Sequence, residues 1–332
     1  MTRRCRLVRA ALAASVVATG AAPVAWAQEP SAGDRRTETI PGTGVSFEVA
    51  YLPGGELVLG SPDDEAGRDR DEGPRRSVDV SPFWIGVYEV RHVEYAVFRD
   101  PALDSDSTAI ADHTLDVDAV SRPSPPYEDP AHGLGQGDHP AVGMTQWAAL
   151  AYARWLSEKT GRLYRLPTEA EWELACRAGQ PGPWGSANAG DLADHAWYAA
   201  NSSERHHPVG EKTPNAWGLH DMLGNVAEWT LDEYRADFYA SLEDGAEDPW
   251  ARPSATHPRT VRGGAFDDEP AGLRCADRFE STLRWKRRDP QIPRSRWWNT
   301  DSPHVGFRLV SPAGDWTLES IRAWWADLLP DG

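Results

Sequence analysis

Two adjacent carboxylates, Asp267 and Asp268, are the first candidates for chemistry in this sequence, and they follow a Gly-Gly pair closely. A positioned pair of carboxyl groups can supply a general acid and a general base to one substrate. Neighbouring side chains along a chain usually face different ways, however. We therefore favour the interpretation that Asp267 and Asp268 lie at the rim of a cleft, and acid–base catalysis stays open.

Cationic and aromatic side chains follow, namely Arg278 and the run Arg-Ser-Arg-Trp-Trp at residues 294–298. Such a mixture suits stacking on a sugar or a peptide, and it equally suits cation–π packing inside the protein. We assign Arg278, Trp297 and Trp298, together with the Asp pair, to a candidate substrate cleft for a peptide or a glycan.

Histidine gives a weaker signal. Among the ten His residues, the closest pair in sequence is His206-His207. Because adjacent His side chains more often point apart than share a metal, we interpret this pair as part of a solvated loop. No Ser-His-Asp triad and no phosphate-binding loop can be identified from residue spacing.

The N-terminus has the organisation of a cleavable signal peptide. Four arginines precede an apolar stretch at residues 10–24, and Ala25-Trp26-Ala27 fits the small-x-small rule for cleavage. Residues 1–27 are therefore expected to be removed on export, by a route that the sequence leaves open. We expect a periplasmic or secreted protein.

The charge and the hydropathy exclude several classes of partner. The net charge is −17, and removal of the predicted leader takes away four Arg and no acid, so the mature chain is more acidic still. Nucleic acids and anionic membranes repel such a surface, whereas calcium suits it. No other apolar segment is long enough to span a bilayer. We expect a monomer, with its sixteen Trp residues used mainly for packing.

Local patterns predict the elements that must position these side chains. Residues 28–43 are predicted to be a disordered linker. Alternation at 45–51, a Pro-Gly-Gly turn, and short apolar runs at 57–59 and 83–85 predict strands. A short helix is predicted at 92–99, and a long ordered loop at 101–140.

Two helices have clear boundary signals. Thr145 and Gly161 delimit the first, and Thr168 with Glu171 forms a capping box for the second. The remainder consists of short strands and loops until a C-terminal helix at 318–329. Because no strand–helix alternation is present, the pattern favours an α+β fold over a parallel α/β sheet.

Five motifs occur in the order typical of one known family. They are Leu-Pro-Gly-Gly at 52–55, Arg-Leu-Pro-Thr-Glu-Ala-Glu-Trp-Glu at 165–173, Gly-Leu-His-Asp-Met-Leu-Gly-Asn-Val-Ala-Glu-Trp at 218–229, Arg-Gly-Gly at 262–264 and Gly-Phe-Arg at 306–308. The chain resembles the formylglycine-generating enzyme, or sulfatase-modifying factor, family. The resemblance implies a C-type-lectin-like α+β domain with little regular secondary structure at residues 44–312, followed by a helical extension at 313–332.

The family contains several activities. Formylglycine-generating members oxidise a substrate cysteine with copper held by two thiolates, ergothioneine-type members use non-haem iron, and pyoverdine-maturation relatives work in the periplasm. The resemblance places the two copper thiolates at Asp268 and Leu273 when counted forward from the Gly-Gly pair, and at Pro270 and Ala265 when counted back from Cys275, so neither count finds a thiol. Soft Cu(I) prefers sulfur ligands, so we reject copper-thiolate oxidation. The His-x3-His-x-Glu pattern of the iron enzymes is also missing, which leaves any transition metal open.

The resemblance also implies a structural calcium ion. The matching positions in the family bind calcium through two side chains and two backbone carbonyls, and here they are Asp221, Gly224, Val226 and Glu228. Calcium accepts such an irregular shell of oxygens. The alternative is a tight Gly-Asn turn whose carboxylates only cap backbone N–H groups.

The only two cysteines after the leader, Cys176 and Cys275, match positions that are bridged in formylglycine-generating relatives. Export would place them in an oxidising compartment, so we expect a disulfide.

These observations lead to two functional hypotheses. The first is an exported enzyme of this family with unassigned, non-haem-metal oxidative or protein-modifying chemistry that is not formylglycine generation. The second is a non-catalytic, calcium-stabilised, lectin-like module that binds a peptide or a glycan. The domain type favours the enzyme, and the missing thiols favour the binding module.

Overall fold

The computed structural model describes residues 30–105, 123, 129–185, 188 and 190–329. The predicted signal peptide and most of the predicted loop at 101–140 lie outside these described residues.

Short strands and a few helices make up the fold. The strands are β1 (Arg35–Thr39), β2 (Ser46–Leu52), β3 (Gly55–Leu59), β4 (Arg76–Val80), β5 (Phe83–Gly86), β6 (Ala227–Glu233), β7 (Ala246–Glu247), β8 (Arg259–Arg262), β9 (Phe279–Glu280), β10 (Val305–Gly306) and β11 (Val310–Pro312). The helices are α1 (His92–Arg99), α2 (Gln146–Thr160), α3 (Glu169–Arg177), α4 (Leu192–His195), α5 (Phe238–Ser241) and α6 (Leu318–Leu328). The predicted α+β class is confirmed.

The strands form three small sheets, in the orders β1-β2-β5-β11, β10-β6-β8-β9 and β3-β4-β7. Most pairs are antiparallel, and β10–β6 and β4–β7 are parallel. This mixture agrees with the missing strand–helix alternation in the sequence. Strand β2 pairs with β5 in the register Ala50↔Ile85, which buries both side chains against α3 and its neighbours.

The predicted helix boundaries are confirmed by their capping contacts. The Thr145 hydroxyl accepts a hydrogen bond from the Ala148 N–H at 3.1 Å, and Gly161 ends α2 with φ +67°. At the start of α3, the Glu171 N–H donates to the Thr168 hydroxyl, and the Thr168 N–H donates to the Glu171 carboxylate. Both arrangements satisfy backbone groups that a helix end leaves unpaired.

The predicted linker at 28–43 contains a strand instead. Residues 35–39 form β1, which pairs with β2 in the antiparallel register Arg35↔Ala50 to Thr39↔Ser46. The guanidinium of Arg36 lies 4.0 Å from the centre of the Trp84 ring. The sequence of this segment is polar because β1 is an edge strand, and polar composition alone suggests disorder. Its order comes from pairing with β2, which the composition of the segment does not reveal.

The C-terminal helix exists as predicted, but it is not outside the domain. Ile321 and Trp325 of α6 are fully buried and belong to the apolar cluster that also contains α1, α2 and β6. The Arg322 guanidinium also bonds the Glu158 carboxylate on α2, at 2.9 Å. The sequence pattern showed an amphipathic helix, and it could not show which surface would cover its apolar face.

Several loops meet at one edge of this scaffold, which we call the loop face. It consists of residues 129–145, 197–210, 263–273 and 299–305. Backbone and side-chain hydrogen bonds join these loops, including Ala199 N–H to Asp268 C=O (3.0 Å), Ser202 Oγ to Phe266 C=O (2.7 Å), Val209 N–H to Asp138 C=O (3.0 Å) and Asn299 N–H to Gly143 C=O (2.8 Å). Because the loops are tied to one another and to β6 and β10, their side chains have fixed neighbours.

Candidate functional site

Buried ion pairs lie directly behind the loop face. Arg308 donates to both carboxylate oxygens of Glu228, at 2.6 and 2.7 Å, and Arg262 donates to Glu173 at 2.7 Å. These side chains are essentially inaccessible to water. A buried charge is tolerated only when a partner and hydrogen bonds compensate its loss of hydration. The motif residues around positions 228, 262 and 308 therefore hold the fold together.

Arg278 belongs to the same buried framework, not to a cleft. Its guanidinium donates to both oxygens of Glu169, at 2.6 and 2.9 Å, and also bonds the backbone carbonyl of Asp71 at 2.8 Å. The side chain is shielded completely from solvent. This placement corrects the expectation that Arg278 contacts a substrate, since all its donors face protein acceptors.

The two tryptophans predicted for the cleft are also buried. Trp297 packs edge-on against Trp147 with ring centroids 4.4 Å apart, and Trp298 lies edge-on to Tyr95 at 6.2 Å. Their exposed fractions are 2% and 5%. A ring that stacks on a sugar must present a free face, so these rings act in packing and not as a glycan platform.

The predicted calcium loop, residues 221–228, is a tight turn at the start of β6. Asp221 and Asn225 both have φ +54°, and Gly224 has φ +70°. A Cβ at Gly224 would lie 2.1 Å from the Trp197 carbonyl oxygen, so only glycine fits there. The turn places Asp221 and the backbone of 224–226 at the N-terminal end of β6. Glu228, the second residue of β6, forms its ion pair with Arg308 there.

The carboxylates of this loop are unevenly satisfied. Asp221 Oδ2 accepts from the Gly210 N–H at 2.7 Å, whereas Asp221 Oδ1 is buried without a partner. Glu89 Oε2 is likewise buried and unpartnered, while its other oxygen accepts from Asn225 Nδ2. Both oxygens of Glu228 already accept hydrogen bonds from Arg308.

The pKa values of these carboxyl groups show the same lack of partners. Burial raises the pKa of Asp221 to about 6, and burial followed by the charge of Asp221 raises the pKa of Glu89 well above its usual range. Three carboxylates thus share the one guanidinium of Arg308. The donor set of Asp221, the Gly224 and Val226 carbonyls and Glu228 fits a calcium ion, because a divalent cation would neutralise the excess charge and partner the orphaned oxygen.

The Asp267-Asp268 pair lies on the loop face, and both residues are exposed. The Asp268 carboxylate accepts from the Ala265 N–H at 2.8 Å, so it caps its own turn. That turn requires Gly264, which has φ +66° and would place a Cβ 2.5 Å from the Gly272 carbonyl oxygen. Although Asp268 is exposed as a residue, its carboxyl group is partly shielded from water. This burial raises the pKa of Asp268, and the charge of Asp267 adds a smaller rise. Their place at the rim of a substrate cleft stays a prediction.

His304 is the functional candidate that the sequence analysis missed. It precedes β10, its backbone carbonyl accepts from the Ala227 N–H at 2.9 Å, and its ring lies edge-on to Trp285 at 5.7 Å. Burial lowers the pKa of His304, and the nearby charges of Asp267 and Asp268 oppose that shift. The ring is therefore neutral at pH 7 and free to accept a proton. No local pattern marks it, because its carboxylate neighbours are far away in sequence.

Two other histidines of the loop face, His139 and His206, form a pair of imidazoles. The Nδ1 atoms of His139 and His206 are 3.1 Å apart, and the Phe266 ring lies edge-on to His206 at 6.1 Å. His206 is completely buried, and this burial, together with the charges of His139 and His207, lowers its pKa to about 3. His207 turns away and stacks on Trp197 at 3.7 Å. The two neighbours in sequence thus point apart, but His206 is in the interior and not in solvent.

The predicted disulfide is confirmed. Cys176 in α3 and Cys275 are bonded, with their Cα atoms 5.7 Å apart. The bridge fixes α3 to the segment that follows the Asp267-Asp268 turn, so it supports the loop face from behind.

Among the described residues, one group of at least three acidic side chains is close enough to share a metal, namely Asp69, Glu72 and Asp277. Arg274 already neutralises it, donating to both oxygens of Glu72 at 2.6 and 2.7 Å. Within the same described part of the chain, no helix has the length and apolar character needed to cross a bilayer.

Comparison with known proteins agrees with this architecture. The family description "Sulfatase-modifying factor enzyme 1-like domain" matches residues 41–313. A formylglycine-generating enzyme from Thermomonospora curvata is 29% identical, over 79% of this chain and 93% of its own length. An inactive C-alpha-formylglycine-generating enzyme 2 from Bos taurus is 31% identical, over 71% of this chain and 89% of its own.

A solved structure gives the same result. PvdO from Pseudomonas aeruginosa superposes with a TM-score of 0.61 and 29% identity, over 86% of this chain and the whole of that one. Because the family match covers residues 41–313, most of the chain, the chain belongs to the sulfatase-modifying factor (formylglycine-generating enzyme) family.

Proposed function

We propose that this chain is an exported member of its family that acts on a peptide or protein with general acid–base groups and does not generate formylglycine. The proposal rests on the His304 ring, which is packed edge-on against Trp285 and on which the charges of Asp267 and Asp268 raise the pKa against the opposing effect of burial. Asp268 lies where the resemblance places the first copper thiolate, so an imidazole–carboxylate group replaces a metal–thiolate group at the same cleft.

The chemistry of these residues supports proton transfer. A neutral imidazole flanked by carboxylates can take a proton from a substrate, and the carboxylates stabilise the imidazolium that results. The Asp268 carboxylate is held in place by the Ala265 N–H, which donates to it at 2.8 Å. Metal-dependent oxidation is the alternative chemistry.

Export through the signal peptide at residues 1–27 to the periplasm or the medium is part of the proposal. The Cys176–Cys275 disulfide supports it, since structural disulfides persist in oxidising compartments. A structural calcium ion at Asp221, Gly224, Val226 and Glu228 is also proposed, on the orphaned Asp221 oxygen and the excess of buried carboxylates.

The competing proposal is a non-catalytic binding module. A specific observation favours it, namely the similarity to a relative described as inactive. The burial of Trp297 and Trp298 makes a glycan the poorer ligand, so a peptide is the ligand to test first.

The test has two arms. The first measures how the charges of Asp267 and Asp268 affect the pKa of His304, and the second tests for formylglycine generation. We expect NMR titration to show that the pKa of His304 falls by about 0.5 to 1 in Asp267→Asn with Asp268→Asn, because each lost carboxylate removes a stabilising charge. His132→Gln is the control, since His132 is exposed. An unchanged pKa of His304 would remove the basis of the proposal.

In the second arm, the protein is incubated with copper, oxygen and a peptide that carries the Cys-x-Pro-x-Arg motif of sulfatases. No aldehyde should appear by mass spectrometry, because Asp268 and Leu273 cannot replace two thiolates. Aldehyde formation would overturn the proposal and restore the activity of the formylglycine-generating relatives.

A further inference from the structure

The segment 283–296 is strongly basic in an otherwise acidic protein, and we call it the basic loop. Its six basic residues are accompanied by one acid, against a net charge of −17 for the chain. The basic residues are Arg284, Lys286, Arg287, Arg288, Arg294 and Arg296, and the acid is Asp289. A concentration of one sign against the opposite net charge makes a local binding surface for ligands that the rest of the protein repels.

Internal contacts account for half of these cations. Lys286 donates to the Ser295 carbonyl at 2.7 Å and so closes the loop, and Asp289 accepts from the Ser295 N–H at 2.6 Å. Arg288 pairs with Asp301 at 2.6 Å, and Arg296 stacks over Trp147 at 3.7 Å. These contacts hold the loop in one shape.

The other three cations are free. Arg284, Arg287 and Arg294 are exposed, and none forms an ion pair with a described residue. Exposed apolar side chains lie among them, since Ile292 is 99% exposed and Leu283 is 67% exposed. Free guanidinium groups prefer carboxylates, which they bind in a bidentate manner, and large exposed apolar side chains indicate contact with another apolar surface.

The basic loop borders the proposed catalytic group. Trp285 lies in its short 3-10 helix, Leu283–Lys286, and packs edge-on against the His304 ring at 5.7 Å. The Asp301 N–H donates to the Trp285 carbonyl at 2.8 Å, which ties the loop to the segment before His304. A ligand held by the loop would thus be presented beside His304.

We infer that the basic loop binds an acidic peptide segment with apolar side chains, belonging to the protein on which this chain acts. A peptide fits better than a glycan, because the three tryptophans of this region, Trp285, Trp297 and Trp298, are buried and offer no stacking face. A peptide also fits better than nucleic acid or a membrane surface. Those extended anionic partners would meet the acidic surface around the loop and be repelled, whereas a short segment can contact the basic loop alone. This inference rests on the proposed function for the position of the cleft, and it supplies the substrate class.

The experiment measures binding by fluorescence anisotropy, independently of turnover. The probe is a labelled peptide of about twelve residues with Glu and Leu, and its matched control carries Gln for every Glu. At about 20 mM salt the Glu peptide should bind at least about tenfold more tightly than the Gln peptide, and salt should weaken it.

Charge reversal identifies the surface. Arg284→Glu with Arg287→Glu and Arg294→Glu should weaken the Glu peptide on the order of tenfold or more. The matched control reverses three other exposed arginines, Arg70, Arg75 and Arg235, and should keep the affinity within about twofold, since the net charge changes equally. Arg294→Glu alone should give an intermediate loss, and thermal melting checks that each variant is folded.

Three results would overturn the inference. They are equal binding of the Glu and Gln peptides, equal weakening by both sets of reversals, and tighter binding of a sulfated oligosaccharide or DNA through the same arginines. The anisotropy measurement has no catalytic readout and does not depend on the titration of His304, so failure of the proposed catalysis and failure of this binding surface are separable.

Discussion

Glu169 shows how single residues hold this protein together. Its two carboxylate oxygens accept from Arg278, at 2.6 and 2.9 Å, and Arg262 and Thr260 add further hydrogen bonds. The charge of Arg278, acting against the desolvation caused by burial, lowers the pKa of Glu169. An isolated buried carboxylate would be strongly unfavourable, so the guanidinium partners are a condition for this residue to be inside at all.

His206 is the opposite case, a buried group that must stay neutral. Its native pKa of about 3 lies below the unfolded value of about 6.5, so the unfolded chain takes up a proton first as the pH falls. The protein therefore loses stability below about pH 6.5, and this one residue contributes about 2 kcal/mol of that loss between pH 7 and pH 5. His206→Gln should show a correspondingly weaker dependence in denaturant unfolding at the two pH values.

The control for that measurement is His132→Gln, which alters an exposed ring and should follow the wild type. If wild type and His206→Gln lose the same free energy of unfolding between the two pH values, then His206 is not held neutral by burial.

At the scale of elements, strands shorter than usual position long connecting loops. Glu228 and Trp229 lie in the first half of β6, where Glu228 is opposite Arg262 of β8. Strand β10 begins directly after His304. The strands are held in place by side-chain ion pairs as well as by backbone ladders. Loops tied at both ends to such strands can hold a site without having regular structure themselves.

The loop at 221–228 gives the prediction for this scale. Calcium should raise the melting temperature relative to EDTA by about 5 °C or more at saturation, because a ligand of the native state stabilises it by mass action. Asp221→Asn should abolish the difference, since it removes the orphaned carboxylate oxygen. Asp221 is the better site to change than Glu228, whose loss would also leave Arg308 unpaired.

Asp237→Asn serves as the control for that experiment, because its side chain is 78% exposed and lies outside the loop at 221–228. Equal melting temperatures of the wild type in calcium and in EDTA would show that the loop is a tight turn without an ion.

At the scale of the whole molecule, two apolar clusters are joined through the buried ion pairs. One contains α1, α2, β6 and α6, and the other contains the strands β2 to β5 with α3. The disulfide from α3 to Cys275 and the contact of α6 with α2 connect distant parts of the chain. The C-terminal helix is thus a component of the core.

This packing predicts a difference between two adjacent tryptophans of α6. Trp325 is fully buried, and Trp325→Ala should lower the free energy of unfolding by about 3–5 kcal/mol. Trp324 is only partly buried, so Trp324→Ala should cost less, about 1–2 kcal/mol, in the same denaturant titration. Equally small losses in both variants would indicate that α6 is an appended helix after all.

The sequence by itself determined the features whose causes are local or motif-based. Capping residues placed the ends of α2 and α3, because an N-cap acts within one turn of its helix. The ordered motifs gave the family, and with it the α+β fold and the pairing of Cys176 with Cys275. The absence of two thiols at Asp268 and Leu273 also follows from the sequence alone.

Only the tertiary structure decided which side chains face the cleft. Arg278, Trp297 and Trp298 have the composition of a binding site, yet residues far away in sequence surround them and bury them. His304 carries no local signal and becomes a candidate because the fold packs it against Trp285, where the charges of Asp267 and Asp268 act on it. Burial and electrostatic neighbours are sums over long-range contacts, and no pattern along the chain contains them.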